Sequence, residues 1–146
     1  MRRITLEQIK NLRPCPKAYS DAVIYFAGRE SVEVTEKAAV RVAQLFNFMW
    51  LAYNILSPSA LNSFKKKLAF MNAWGNYLLA EEGASRAYRL LQDGAPKTTR
   101  EKAAAKKAHK RAHNKMVAAW RECNKAKARA FVRAYNEDAP TNDATA

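Results

Sequence analysis

The chain has 146 residues, 49% of them hydrophobic and 27% charged, with a formal net charge of +13. That length fits about one domain with a modest core, and the apolar content excludes wholesale disorder. Four Gly and five Pro among many Ala favour helices over the turns of a sheet-rich protein, so an all-α fold is expected.

Thr5 with Gln8 three residues on writes a capping box for a short helix whose apolar edge is Leu6, Ile9 and Leu12. Pro14 and Pro16 end it. A second helix is expected over 17–27, with Ala18, Ala22, Tyr25 and Phe26 inward and Gly28 as its C-cap. Residues 31–34 read as a brief extended stretch. Thr35 can then cap a long helix over 36–56. Its apolar residues Ala39, Val42, Ala43, Phe46, Met49, Trp50, Tyr53 and Leu56 recur at three and four, which predicts the central helix of the core.

The most apolar run, 38–56, is interrupted by Arg41, Gln44, Asn47 and Asn54. A membrane span needs about 20 largely apolar residues, so no membrane partner is expected. MRRITLEQIKNL has neither an apolar core nor a small-residue cleavage site, so no secretory leader is expected. Ser57-Pro58 stops the long helix. The next, over 60–82, carries Leu61, Phe64, Leu68, Met71, Trp74 and Leu78 on one side. Gly75 inside it would permit a close helix crossing, and Gly83 would end it before a shorter helix over 84–92. Trp50 and Trp74 are expected as core anchors. Gly94 and Pro96 mark the clearest break in the chain.

After that break, Thr98 and Glu101 form a second capping box, opening one uninterrupted helix from Glu101 to Asn136. It carries eleven Lys/Arg against two Glu, holds no Gly or Pro, and would be roughly 50 Å long. The expected organisation is therefore a compact body of four to five helices over 1–96, a long basic helix over 97–136 partly docked on it, and a disordered acidic tail over 137–146. The apolar residues of the basic helix align at a spacing of eleven: Ala108, Ala119, Ala130; Ala112, Cys123, Ala134; His109, Trp120, Phe131. That spacing gives about 3.67 residues per turn, so the stripe stays on one side. The stripe is nearly all Ala before Val117 and aromatic after it. The second half should therefore dock while 101–116 project, and the Ala row could pair two such helices as a homodimer.

Opposite the stripe, Lys102–Lys106–Lys110, Lys107–Arg111–Lys115 and Arg121–Lys125–Arg129–Arg133 form ladders at i, i+4. Like charges at that spacing repel by a few tenths of a kcal/mol per pair, an arrangement no free helix adopts for stability. A solvated face normally mixes signs, so these ten residues read as the binding set for a polyanion or an acidic protein surface. Lys65, Lys66 and Lys67 could extend that surface. Trp120 and Tyr135 are candidate anchors for a protein partner.

Nothing points to catalysis. GxSxG, GxxxxGK[ST], GxGxxG and HExxH are all missing from the sequence, and Glu81 and Glu82 are adjacent residues whose side chains diverge on a helix. His109 and His113 have the spacing of a two-histidine metal clamp, but HKRAH supplies no third ligand and its charge opposes a cation. Two phosphate-facing histidines fit better, and neither a metal nor a cofactor is expected. Cys15 and Cys123 fit no metal or redox spacing and read as unpaired thiols in a reducing cytosol.

The first half of the chain, ITLEQIKNLRPCPKAYSDAVIYFAGRESVEVTEKAAVRVAQLFNFMWLAYNIL, resembles the opening of small uncharacterised proteins of tailed bacteriophages. Cys15, Phe26–Gly28, Val32–Thr35 and Trp50-Leu51 stand at matching places. Pro14 replaces the usual Ala before Cys, and Ala27 lengthens the usual Phe-Gly. The match covers residues 3–60 well and the rest loosely. It implies a phage or prophage origin, hence the cytoplasm of a bacterial host, and it implies no activity.

Three functions follow as expectations. The first is a non-enzymatic protein whose basic helix lies along DNA or RNA phosphates. With no aromatic between Glu101 and Ala119, such binding would be driven by charge, with little base readout. The second is an inhibitor that occludes an acidic surface of a bacterial defence or host protein, in the manner of an anti-CRISPR protein. The third is a structural protein packaged in the virion.

Overall fold

The computed structural model describes residues 1–69, 72–93 and 97–138. About 77% of those described residues are helical. In chain order the elements are β1 (Arg3–Thr5), α1 (Leu6–Asn11), α2 (Pro16–Phe26), β2 (Ser31–Glu33), α3 (Glu36–Arg41), α4 (Phe48–Ile55), α5 (Pro58–Ala69), α6 (Ala73–Gln92) and α7 (Thr99–Glu137). The all-α expectation holds, with one small addition: β1 and β2 pair antiparallel with Ile4 opposite Val32. The described residues form two compact units, 1–69 with 124–138, and 72–123. The long helix α7, 39 residues and about 58 Å, contributes to both.

In the first unit the local signals act as the sequence specifies. Thr5 and Gln8 close their capping box: the Gln8 amide donates to Thr5 Oγ1 at 3.0 Å, and the Thr5 amide donates to Gln8 Oε1 at 2.8 Å. Thr35 accepts from the Ala38 amide at 3.1 Å to start α3. Helix α2 ends one residue earlier than expected, at a left-handed Ala27 with φ 47°, and Gly28 follows at φ 79°.

The helix expected over 36–56 is two helices. Backbone bonds within 42–46 turn the chain, and Asn47 Oδ1 accepts from the Trp50 amide at 3.0 Å, capping α4 anew. The turn resets the helical phase. Ala39, Val42, Ala43 and Leu56 are buried as expected, but within α4 the buried residues are Phe48, Leu51 and Ala52, while Tyr53 is exposed.

The most deeply enclosed segment of this unit is the end of α7. Ala126, Ala128, Ala130, Phe131, Val132, Ala134 and Tyr135 are all buried and cover about 240° of the helix circumference, leaving the side of Arg129 and Arg133. Alanine makes this possible, because its small side chain lets neighbouring backbones approach closely. Phe131 packs on Phe48 at 5.5 Å between ring centroids and stacks on Tyr135 at 5.5 Å.

Polar contacts then lock the helix terminus. Arg2 Nη1 donates to the carbonyls of Tyr135 and Asp138, both at 2.7 Å, satisfying acceptors that the helix end leaves open. The guanidinium also lies 4.1 Å from the Tyr135 ring centroid. Tyr135 Oη donates to the Arg3 carbonyl at 3.0 Å, and Asn136 Nδ2 to the Val34 carbonyl at 3.0 Å. Ser57 Oγ donates to Asp138 at 2.6 Å, and Lys67 pairs with Glu137. Glu137 and Asp138, the first residues of the expected disordered tail, are therefore held in place. Residues 139–146 lie outside the described residues, as do Gly94 and Pro96 of the expected break.

In the second unit, α6 runs through Gly83 without interruption to Gln92, so the two helices expected to meet at Gly83 are one. A Cβ added at Gly75 or Gly83 would meet nothing within 4 Å, so neither glycine serves a close crossing.

Candidate functional site

The second unit pairs α6 with the first 25 residues of α7 as an antiparallel helical hairpin. Along α6 the residues turned away from solvent are Ala73, Tyr77, Ala80, Ala84, Ala87 and Leu91; along α7 the row is Ala105, His109, Ala112, Met116, Ala119 and Cys123, with the half-buried Val117 beside it. Both rows alternate steps of four and three, the seven-residue seam of a coiled coil. The eleven-residue alignment marks the packed row here only in part: His109, Ala112, Ala119 and Cys123 belong to it, while Ala108 and Trp120 are exposed. Of the Ala row, Ala112 and Ala119 lie in this seam. Trp74, expected as an anchor, sits one position off the seam and is 47% exposed. Trp50 is half-buried at a groove of about 230 Å³ in the first unit, beside the exposed Cys15. Both cysteines are free.

The seam fixes where the charge points. Thr98 and Glu101 start α7 as expected: the Thr98 amide donates to Glu101 Oε2 at 2.7 Å, and the Glu101 amide to Thr98 Oγ1 at 3.2 Å. Those hydrogen bonds from Thr98 hold the Glu101 carboxyl below its ordinary pKa, with Lys97 nearby adding to the effect. From Glu101 onward, each step of four advances about 40° around the helix, so Lys102–Lys106–Lys110 and Lys107–Arg111–Lys115 sweep an arc of about 220° on the side away from α6. All six side chains are exposed. Among the described residues no ion pair involves any of them.

The remaining residues of the expected binding set stand differently. Arg121 is exposed and Lys125 half-buried, and both hold interactions within the chain. Arg129 is half-buried in the first unit. Arg133 donates to Glu36 at 2.8 Å, which raises its pKa further. Of the three lysines on α5, Lys65 lies 4.9 Å from the Tyr53 ring and Lys67 is engaged with Glu137. The cations with nothing to neutralise them are thus concentrated at 102–115.

Trp120 is 42% exposed, in keeping with an accessible anchor. Tyr135 is not available as one: it is 1% exposed, a core residue fixed by Arg2 and Arg3, and burial pushes its phenol above the ordinary value. A feature invisible in the linear sequence is Tyr88. It is half-exposed on α6, and its ring lies 5.7 Å from His109, which in turn lies 6.3 Å from His113. Its hydroxyl accepts from Gln92 at 3.1 Å. No periodicity could assign Tyr88 to this place, because its neighbour is set by the register of two helices.

Among the described residues no three His, Cys, Asp or Glu side chains gather as a metal site, and no helix is long and apolar enough to cross a membrane. A largely apolar cavity of about 50 Å³ lies in the first unit among Ile4, Phe26, Val42, Phe48 and Phe131, with Tyr25 and Glu33 the titratable residues of its lining. No family model matches the chain, and neither a curated protein nor a solved structure matches it.

Proposed function

We propose that this protein is a non-enzymatic binder of nucleic-acid phosphates, and that α7 residues 102–115 are its contact surface. The observation that carries the reading is the set of six exposed Lys and Arg without an ion-pair partner, held on a helix whose opposite face is occupied by α6. Four like-charge pairs at i, i+4 cost stability in the free protein, and phosphates would relieve that cost. This role leaves Arg129 and Arg133 to the structure of the first unit. The phage origin implied by the N-terminal resemblance would place such binding in an infected bacterial cell.

The test is fluorescence anisotropy with a labelled oligonucleotide, comparing the natural chain with Lys106→Glu/Arg111→Glu. Binding by the natural chain and its loss in the folded variant support the proposal. Equal affinity of the two chains removes it.

A protein target is the second reading, and one observation favours it. Trp74, Leu78 and Trp120 of the hairpin are 47%, 45% and 42% exposed, and large exposed apolar side chains of this kind are typical of protein contacts. An inhibitor of a bacterial defence protein would use them beside the cations to occlude an acidic surface. Affinity purification from nuclease-treated host lysate separates the two: a stoichiometric protein partner retained after nuclease supports occlusion, and loss of all partners supports nucleic acid.

A further inference from the structure

The cation arc is not uniform. On one of its sides Lys102, Lys106 and Lys110 share an arc of about 100° with His109 and His113, by the helical advance of 100° per residue. Tyr88 of α6 continues the two histidines into a row of three rings, with centroids 5.7 and 6.3 Å apart. Tyr88 is half-exposed and His113 exposed, so the row is open to solvent at its two ends, with the half-buried His109 between them. The unit has another ring contact, Trp74 with Tyr77 at 5.6 Å, but Tyr77 lies near Cys123 rather than beside these lysines.

We infer that this row is a stacking platform for unpaired bases, and that the nucleic acid taken by the cation arc is single-stranded. The inference rests on the phosphate-binding reading and refines it. Every base offers a π-face, so rings flanked by cations hold a strand without reading its sequence. The ring spacing selects against a duplex. Successive nucleotides of a stacked strand rise by about 3.4 Å, so neighbouring bases meet rings that lie 5.7 and 6.3 Å apart only when the strand is extended and unstacked. In a duplex the base faces are also covered by the base pairs stacked above and below, so the rings would gain nothing.

The measurement is anisotropy of the full chain with labelled oligothymidylate and with a duplex of equal length, each across a salt series. The natural chain should prefer the single strand. Tyr88→Ala should weaken single-strand binding roughly 5- to 100-fold while leaving duplex affinity and both salt slopes unchanged. Tyr88→Phe, which keeps the ring, should bind as the natural chain does. Tyr88 is half-exposed, so its removal should leave the circular dichroism spectrum intact; if it does not, His113→Ala at an exposed position supplies the same comparison. Duplex binding as tight as single-strand binding, or no effect of Tyr88→Ala and His113→Ala, overturns the platform while a steep salt slope keeps the phosphate reading. Absence of binding to both probes overturns both, and points to the acidic protein surface instead.

Discussion

Reversing the charge at two positions should make this protein more stable and less able to bind. Lys106 lies four residues from both Lys102 and Lys110, and Arg111 lies four from both Lys107 and Lys115. Each of these four pairs is repulsive by about 0.2–0.5 kcal/mol in an exposed helix, and an opposite-charge pair at the same spacing is favourable by a similar amount. In Lys106→Glu/Arg111→Glu every pair changes sign, so each contributes about 0.4–1 kcal/mol and the four together about 2–4 kcal/mol. Both positions are exposed and off the seam with α6, so no packing is lost. Urea denaturation followed by circular dichroism, at low and at high salt, measures the gain. It should be largest at low ionic strength and shrink as salt screens the pairs. A variant no more stable than the natural chain at low salt would refute the reasoning, because it would mean that these side chains already have favourable partners within the fold.

Three further outcomes follow from the packing. Gly75→Ala and Gly83→Ala should each stabilise α6 by about 1 kcal/mol in thermal melts, since both glycines sit in open space inside a continuous helix; destabilisation would mean that one of them meets a neighbour. Arg2→Ala should cost about 2 kcal/mol by freeing the carbonyls of Tyr135 and Asp138. Arg2→Lys should recover only part of that in the same urea titration, because an ammonium cannot reproduce the guanidinium fork. The Tyr135 phenol is raised by burial, with Asp138 adding to the shift and Arg2 opposing it. Its contribution to stability is therefore fully present below the unfolded value of about 10 and is lost as pH rises through the folded value. Spectroscopic titration should show one tyrosine resisting ionisation until the chain unfolds at alkaline pH, and Tyr135→Phe should abolish that late step.

The legible parts of this fold are those written by neighbouring residues. Thr5 with Gln8, Thr35, and Thr98 with Glu101 announce three helix starts, and each makes the expected side-chain cap. The length of α7 follows from residues that all favour helix. What escaped depends on residues distant in sequence. The turn at 42–46 leaves intact a pattern of threes and fours, so periodicity alone bridges it. The strand β1 exists because β2 lies beside it. Gly83 reads as a stop, yet α6 continues through it because the seam residues on either side, Ala80 and Ala84, stay packed.

The same limit governs the candidate site. The ladders 102–106–110 and 107–111–115 were legible because their spacing is local. The commitment of Arg133 to Glu36 and the burial of Tyr135 were not, because partners 97 and 132 residues away decide them. The Ala-rich stripe before Val117 looked too thin to dock, yet Ala105 and Ala112 lie in the seam of the second unit. Tyr88 entered the site only through the register of α6 against α7, which places an aromatic ring where the basic helix itself has none.

The most direct test of the central claim is the salt dependence of oligonucleotide binding by the intact chain. Three to six of the free cations can reach one strand at a time, and each phosphate neutralised on a single strand contributes a slope of about −0.7 in log K against log salt. A slope between about −2 and −4 is predicted, flattening in proportion as Lys102, Lys106 and Lys110 are replaced by Gln. Affinity that does not change with salt, or a slope indifferent to those replacements, would contradict it.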